Sequence, residues 1–582
     1  MALADARRHV RIKAGWGIEA LKIPDPIYGT FTAITPPIGY AWLYGDYADR
    51  IIDWSNAGVW VAGVKGIPTY PVYSTLSASG GDDTSAINAA LTACPQGQAV
   101  LLNAGTYNTS GAIHIPTKRV LRGAGANLTH ILHTGTSEAI EITCNPSGPT
   151  HYSVTSGYTT GSTSLGFADG SAFAVGDSCA LAEGKPSEVE VKSSSYLNNA
   201  SYLLTGQKFI VLSKPNANTI AIDRPLHYAY SDGTPIVGRL ASANRVTLAG
   251  VENLHVKELS TSTGSVDNAI VRLDMVDNCW VKGVWSENPV RYNIKLRGCL
   301  ACEVRRCLVD GEDSPNHASG NSYGVTLYGG YEGLSSRWDK CTDCLVEDNI
   351  AYKCRHSYVF EIAGTGNIFG YNHSRLAYES DGAGPTWLTG DMITHGPHPR
   401  LNLIEGNNVQ HIDLDYIQGS SNRNALVRNY VRGIDTGVTQ HHWGCDCGMS
   451  NLYETFIGNA VLNADAVSLG DVTWRFDEQG DGSSPGYDSP PRALNSVLRH
   501  GNYQLKEGMV VWDGNIASHA IPSSLYLSSK PSWFGSLPWP TVGPDVSGYV
   551  LTYVNPAHHR YDVWDAAGHN FSDVTALFAD ES

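Results

Sequence analysis

Between residues 277 and 430 the apolar positions recur in one frame: a Cys or Asn, one intervening residue, then a large apolar residue, with a polar stretch and Gly or Asn behind it. The frame reads Cys279-Trp-Val281, Cys302-Glu-Val304, Cys344-Leu-Val346, Asn367-Ile-Phe369, Asn402-Leu-Ile404 and Asn424-Ala-Leu426, with weaker copies at Phe456–Asn459 and Asn495–His500. The starts are 23, 42, 23, 35 and 22 residues apart, so the unit is 22–23 residues and the longer steps carry insertions. Each unit holds two or three short apolar runs broken by Gly, Asn or Asp, which predicts short strands and tight turns. The Leu-x-x-Leu-x-Leu frame of a leucine-rich repeat is absent. Coils of a parallel β-helix fit instead, because identical positions then stack about 4.8 Å apart. The fold class expected is all-β, a right-handed single-stranded parallel β-helix with a short N-terminal capping helix and an inserted β-rich subdomain. Asn at the repeated position is expected to take the left-handed turn conformation and to bond to the Asn of the next coil.

Helix signals are scarce. The clearest is Asp83–Cys94, where Asp83 or Thr84 caps and Ile87, Ala90 and Leu91 form one apolar stripe. Residues 145–245 interrupt the repeat with alternating runs such as GQKFIVL and NTIAIDRPL, the pattern of a small antiparallel unit. The expected organisation is an irregular covering segment over 1–80, cap and first coils over 81–144, the insertion over 145–245, coils over 246–504 and a packing segment over 505–582.

Composition narrows the function. The formal charge of −16 argues against a general nucleic-acid binder, which needs a basic field. No run of 18 apolar residues occurs, so no spanning helix and no membrane partner are expected. The first residues carry positive charges without the apolar run of a signal peptide. A secreted or periplasmic protein whose signal is absent from this sequence is expected, with the cytoplasm as the other location. Cys299-x-x-Cys302 and Cys341-x-x-Cys344 have spacing that suits zinc. Cys302 and Cys344 fall on the ladder position, however, so buried thiols are expected, with no metal and no cofactor.

The chain resembles the pectate-lyase-like superfamily of right-handed parallel β-helix proteins. The resemblance rests on GDDTSAINAAL at 81–91, on the segment ending at Tyr107, on Leu121-Arg-Gly-Ala-Gly125 and on the later coils. It implies that the helix caps the N-terminal end of the stack, and it implies a carbohydrate-active protein. The paired carboxylates and Arg-x-Lys set of a polygalacturonase are not found, nor is the calcium-binding pattern of pectate lyases.

Long insertions mark where a cleft is expected, and two stand out: Gly311 to Trp338 and Tyr378 to Pro399. They carry Tyr328, Trp338 and Trp387, whose rings suit sugar faces. The ionisable residues concentrate between Arg355 and Asp415. In Ile412-Asp413-Leu414-Asp415, alternation turns both carboxylates outward, at separations that suit glycoside hydrolysis. Asp391, expected in a loop wall, and Glu405 are further candidate acids or bases, as is Glu361. His395 and His398 are expected to position substrate. His356, Tyr358 and Arg355, beside Arg291 and Lys295, form a candidate basic side. Five residues separate His356 from Glu361, so one of them is expected inward or at a bend. The function expected is cleavage of a polysaccharide or oligosaccharide partner by a glycoside hydrolase with paired carboxylates. β-Elimination from a uronic-acid polymer comes second, and a non-catalytic glycan-binding or tailspike-like role third.

Overall fold

The computed structural model describes residues 40–578 apart from 145–149, 185–186, 189, 192–203, 232, 234, 261–266, 312–320, 330–339, 363, 381–384, 436–443, 463–473, 477–491, 506–507, 570–577 and some side chains next to these. Three long sheets wind along one axis as a β-helix-like solenoid, and all three consist of parallel strands except for a final antiparallel strand, Met509–Val511. One coil shows the plan. Trp280–Lys282 lies in sheet 1, Trp285–Glu287 in sheet 2 and Tyr292–Arg297 in sheet 3, after which Glu303–Arg305 re-enters sheet 1. Val281, Val304, Val346, Phe369, Ile404, Leu426 and Phe456 are direct neighbours in sheet 1 and fill the core. Val304 pairs directly with Val346, and Phe369 with Ile404, so each long step in the repeat is a single coil with an insertion.

The Cys and Asn positions point into the solenoid. Cys344 N donates to Asn367 Oδ1 at 3.0 Å, and the Asn367 amide donates to Asn402 Oδ1 at 2.9 Å. The Asn402 amide donates in turn to Asn424 Oδ1 at 3.1 Å, and the Asn424 amide to Glu454. A second ladder at the next corner runs Asn349, Asn372, Asn407, Asn429, Asn459, Asn502. The left-handed residue is not the ladder Asn, as the sequence suggested, but the one before it. Ala301, Asp343, Leu401 and Arg423 have φ of 51–55°. The corner needs one residue of reversed curvature, and only the residue after it then faces inward to meet the next coil.

Thr84–Ala93 forms the N-terminal helix and buries Ile87 and Leu91 against the first coils. Its first turn is held by Asp82, whose carboxylate accepts from Thr84 N at 2.9 Å, while Asp83 bonds back to Ser79 N. Residues 151–240 form a closed antiparallel barrel around Leu165, Leu181, Phe209 and Ile220. The barrel docks on the turns between sheets 3 and 1 through Arg224 to Asp343 and Lys208 Nζ to Gly298 O at 2.6 Å.

Two of the three outer faces are covered. Over sheet 1 lie Trp54, fully buried with Nε1 on Leu401 O at 2.8 Å, and the C-terminal residues Tyr526 and Phe534. Over sheet 2 lies the helix Pro556–Ala566, with Tyr561 and Trp564 packed on Tyr352. Sheet 3 carries no such layer among the described residues.

Candidate functional site

Sheet 3 stacks its strands so that its outer side chains form columns along the axis. Tyr292, Tyr323 and His356 are direct neighbours, with ring centroids 5.3 and 5.5 Å apart. Lys295, Thr326, Val359, Ile393, Asp413 and Asp446 make the second column. Arg297, Tyr328, Glu361 and His395 make the third, and Asp415 follows. His356 and Glu361 share this face despite their odd separation. Ser357 turns into the corner, where its hydroxyl meets Ser374 at 2.7 Å, and this bend absorbs one residue of alternation.

The charges on the face are mostly matched. Lys295 Nζ is fully buried, 2.5 Å from Asp267 and 4.4 and 4.0 Å from the ring centroids of Tyr292 and Tyr328. Burial lowers its pKa against the pull of the Asp267 and Glu361 carboxylates. Arg355 pairs with Glu379 at 2.8 Å and bonds the Tyr323 hydroxyl at 2.9 Å. His356 lends Nδ1 to Gly390 O at 2.8 Å, and burial holds its pKa well below the ordinary range. His395 Nδ1 meets Asp415 Oδ2 at 2.5 Å. Burial works against its charge, but the Asp415 carboxylate outweighs burial and raises the pKa. Four buried polar atoms on this face have no partner among the described residues: Arg291 Nε, Tyr292 Oη, Thr326 Oγ1 and Glu361 Oε2.

Several residues singled out from the sequence are elsewhere. Asp391 is no wall residue. It is fully buried at the corner between sheets 2 and 3, its Oδ2 accepts from Gln410 N at 2.7 Å, and burial pushes its pKa up to about 7. Glu405 ends a sheet 1 strand under the C-terminal segment, where it accepts from Leu525 N at 2.8 Å and from the Tyr371 hydroxyl. Tyr358 packs in the core because the bend at Ser357 reverses its side, and its hydroxyl donates to main-chain carbonyls of Asn349 and His373. His398 is buried on Asn422 Oδ1 at 2.9 Å, with its pKa lowered to about 3 by burial, then by Arg400. Asp413 and Asp415 both fall on this face, but Asp415 is engaged by His395 and accepts from Ile417 N at 3.1 Å, and the lateral neighbour of Asp413 is Asp446 on the next strand. The expected loops are shorter than read, since each contains a sheet 3 strand, Tyr323–Tyr328 and Met392–His395. Tyr328 therefore sits on a strand. Trp387 lies on a hairpin strand with only its backbone described, and Trp338 lies outside the described residues.

No protein-family model matches this chain, and no curated protein matches it. Among solved structures it is similar to the tailspike gp61 of Pseudomonas phage phi297, at 15% identity over 70% of this chain and 72% of that one, with a TM-score of 0.39. It is also similar to the tailspike gp49 of Pseudomonas phage LKA1, at 14% identity over 65% and 69% of the two chains and a TM-score of 0.38. The alginate lyase of Paenibacillus sp. str. FPU-7 shares 9% identity over 69% and 99%, with a TM-score of 0.36.

Sequence reasoning passed over Tyr292, Tyr323, Asp267 and Asp446. Asp446 had a readable signal: Cys445 and Cys447 are apolar positions two apart, so the residue between them faces outward. Tyr292 had none, because its outward direction depends on the same corner that misplaces Tyr358.

Proposed function

We propose that this protein cleaves glycosidic bonds of a polysaccharide on the outer face of sheet 3, by hydrolysis. In fuller form the solenoid is a right-handed single-stranded parallel β-helix, the hand that parallel crossovers almost always take. The reading is carried by the four unpartnered polar atoms of Arg291, Tyr292, Thr326 and Glu361. Buried polar groups are normally bonded, and a hydroxyl-rich ligand supplies both the donors and the acceptors these atoms lack.

Glu361 and His395 are neighbours on adjacent strands, about 4.8 Å apart at the backbone. Asp415 favours the protonated form of His395, and in this reading His395 gives a proton to the leaving oxygen while Glu361 takes one from the attacking water. Asp415 thus positions and charges His395 rather than reacting, and Asp413 lines the floor with Asp446. Glu361→Gln keeps the shape of the side chain but not its basicity, and is expected to lose about 10²–10⁴-fold in rate with an unchanged melting curve. Removing the Asp415 charge lowers the His395 pKa, so Asp415→Asn shifts the alkaline limb of kcat/KM to lower pH. Retention of more than about a tenth of the rate by Glu361→Gln ends the assignment.

The depressed pKa of Lys295 beside Tyr292 supports a second reading, β-elimination with Lys295 as base. Ultraviolet absorbance of an unsaturated product separates the two, as does a Lys295→Ala variant that collapses while Glu361→Gln survives.

A further inference from the structure

A cavity lies away from the outer face of sheet 3, where the N-terminal segment, the barrel and the turns into sheet 1 meet. Its volume is about 520 Å³, within the range of small-molecule sites, and sites of this kind favour junctions between domains. Tyr228 and Tyr230 stack at 4.3 Å, and the Arg400 guanidinium sits 4.3 Å from the Tyr228 ring centroid. Arg400 is incompletely neutralised. Its nearest carboxylate, Glu188, stands 3.6 Å away and is held by Arg423, whose Nη2 reaches Oε1 at 3.0 Å. Arg400 Nε is buried and has no partner among the described residues. The other lining cations are committed, Arg224 to Asp343 and Arg423 to Asp49 and Glu188.

We propose that this cavity is a second saccharide site, distinct from the sheet 3 face, and that it takes a neutral pyranose. Five carboxylates line it against three arginines, so an anionic sugar meets net repulsion. Carboxylates accept from sugar hydroxyls, and the bare Arg400 Nε donates to a ring or hydroxyl oxygen. Both faces of the Tyr228 ring are taken, by Tyr230 and by Arg400, so apolar contact comes from Ile51, Ile52, Pro225 and Leu226 in the lining. The proposal rests on the reading that the chain acts on a polysaccharide, because a neutral sugar held here anchors a polymer whose other part crosses sheet 3.

The test uses the full chain carrying Glu361→Gln, so that binding is read without turnover. Isothermal titration is run with methyl glycosides of glucose, galactose, mannose and N-acetylglucosamine, and with glucuronate and galacturonate. At least one neutral glycoside is expected to bind, and Arg400→Ala to weaken it about tenfold or more. Arg400→Lys keeps the charge but loses Nε and the flat stacking surface, and is expected to weaken binding too; it stands in if Arg400→Ala does not fold. Binding of the acidic sugars alone, no binding of any neutral glycoside, or affinity unchanged in the folded Arg400 variants overturns the proposal. Failure of the hydrolase reading shows separately, as activity surviving in Glu361→Gln.

Discussion

Asp391 illustrates how a single side chain changes meaning once its surroundings are known. One carboxylate oxygen accepts from Gln410 N and the other has no partner among the described residues, in a fully buried corner beside Arg432. Its pKa is about 7 in the fold against an ordinary 3.8, so the native state holds a proton that the unfolded chain releases. Stability from this group is full below about pH 4 and is lost as pH rises toward 7. Asp391→Asn carries no such dependence. Relative to wild type it is expected to gain about 2–4 kcal/mol on moving from pH 4 to pH 8, read by urea unfolding, with activity kept. A pH-independent difference, or loss of activity, contradicts the structural role.

At the scale of elements, the Asn ladders hold successive coils in register. Asn407 Oδ1 accepts from both Asn372 N and Nδ2, and its own amide donates to Phe369 O and Asn429 Oδ1. Asn407→Ala strands these groups in a dry interior. A cost of about 2–5 kcal/mol is expected from denaturant unfolding, since an unsatisfied buried group costs about 1–3 kcal/mol. A loss below about 0.5 kcal/mol means that the ladder is ornamental. The ladder through Cys344 and Asn367 was legible in the sequence because its position repeats, whereas the one through Asn407 emerged only from the structure. The corner at Ser357 was not legible, because one inward residue among alternating neighbours leaves no periodic trace, and that corner decides which face Tyr358, His356 and Glu361 occupy.

For the whole molecule, the twelve cysteines give a direct measure of cooperativity. All are free and buried, and the thiols of Cys299, Cys302, Cys341 and Cys344 donate to main-chain carbonyls inside the stack. A thiol reagent is expected to find almost none of them in the native protein and all twelve in denaturant, released together as the solenoid opens. Release of a few thiols well before the rest indicates that the coils unfold separately. Stoichiometric zinc lost with those four thiols overturns the packing account of the Cys-x-x-Cys pairs.

The sheet register was needed to show that each long step is one coil with an insertion, but the amino-acid sequence alone determined the solenoid's period and its inward Cys, Asn and aliphatic positions. These are local periodicities, and a coil repeats its local chemistry every 22–23 residues. The sequence also gathered most of the outer-face residues, since Arg291, Lys295, Arg355, His356, Glu361, His395 and Asp413 lie in the ionisable stretches it marked. Only the tertiary structure separated them from Asp391, Glu405 and His398, which are equally polar in sequence but sit at a corner, under the C-terminal segment and against Asn422. Which faces of the solenoid the two ends of the chain and the barrel cover depends on where they fold back, and contacts between residues hundreds of positions apart, such as Trp54 with Leu401, leave no pattern in the string.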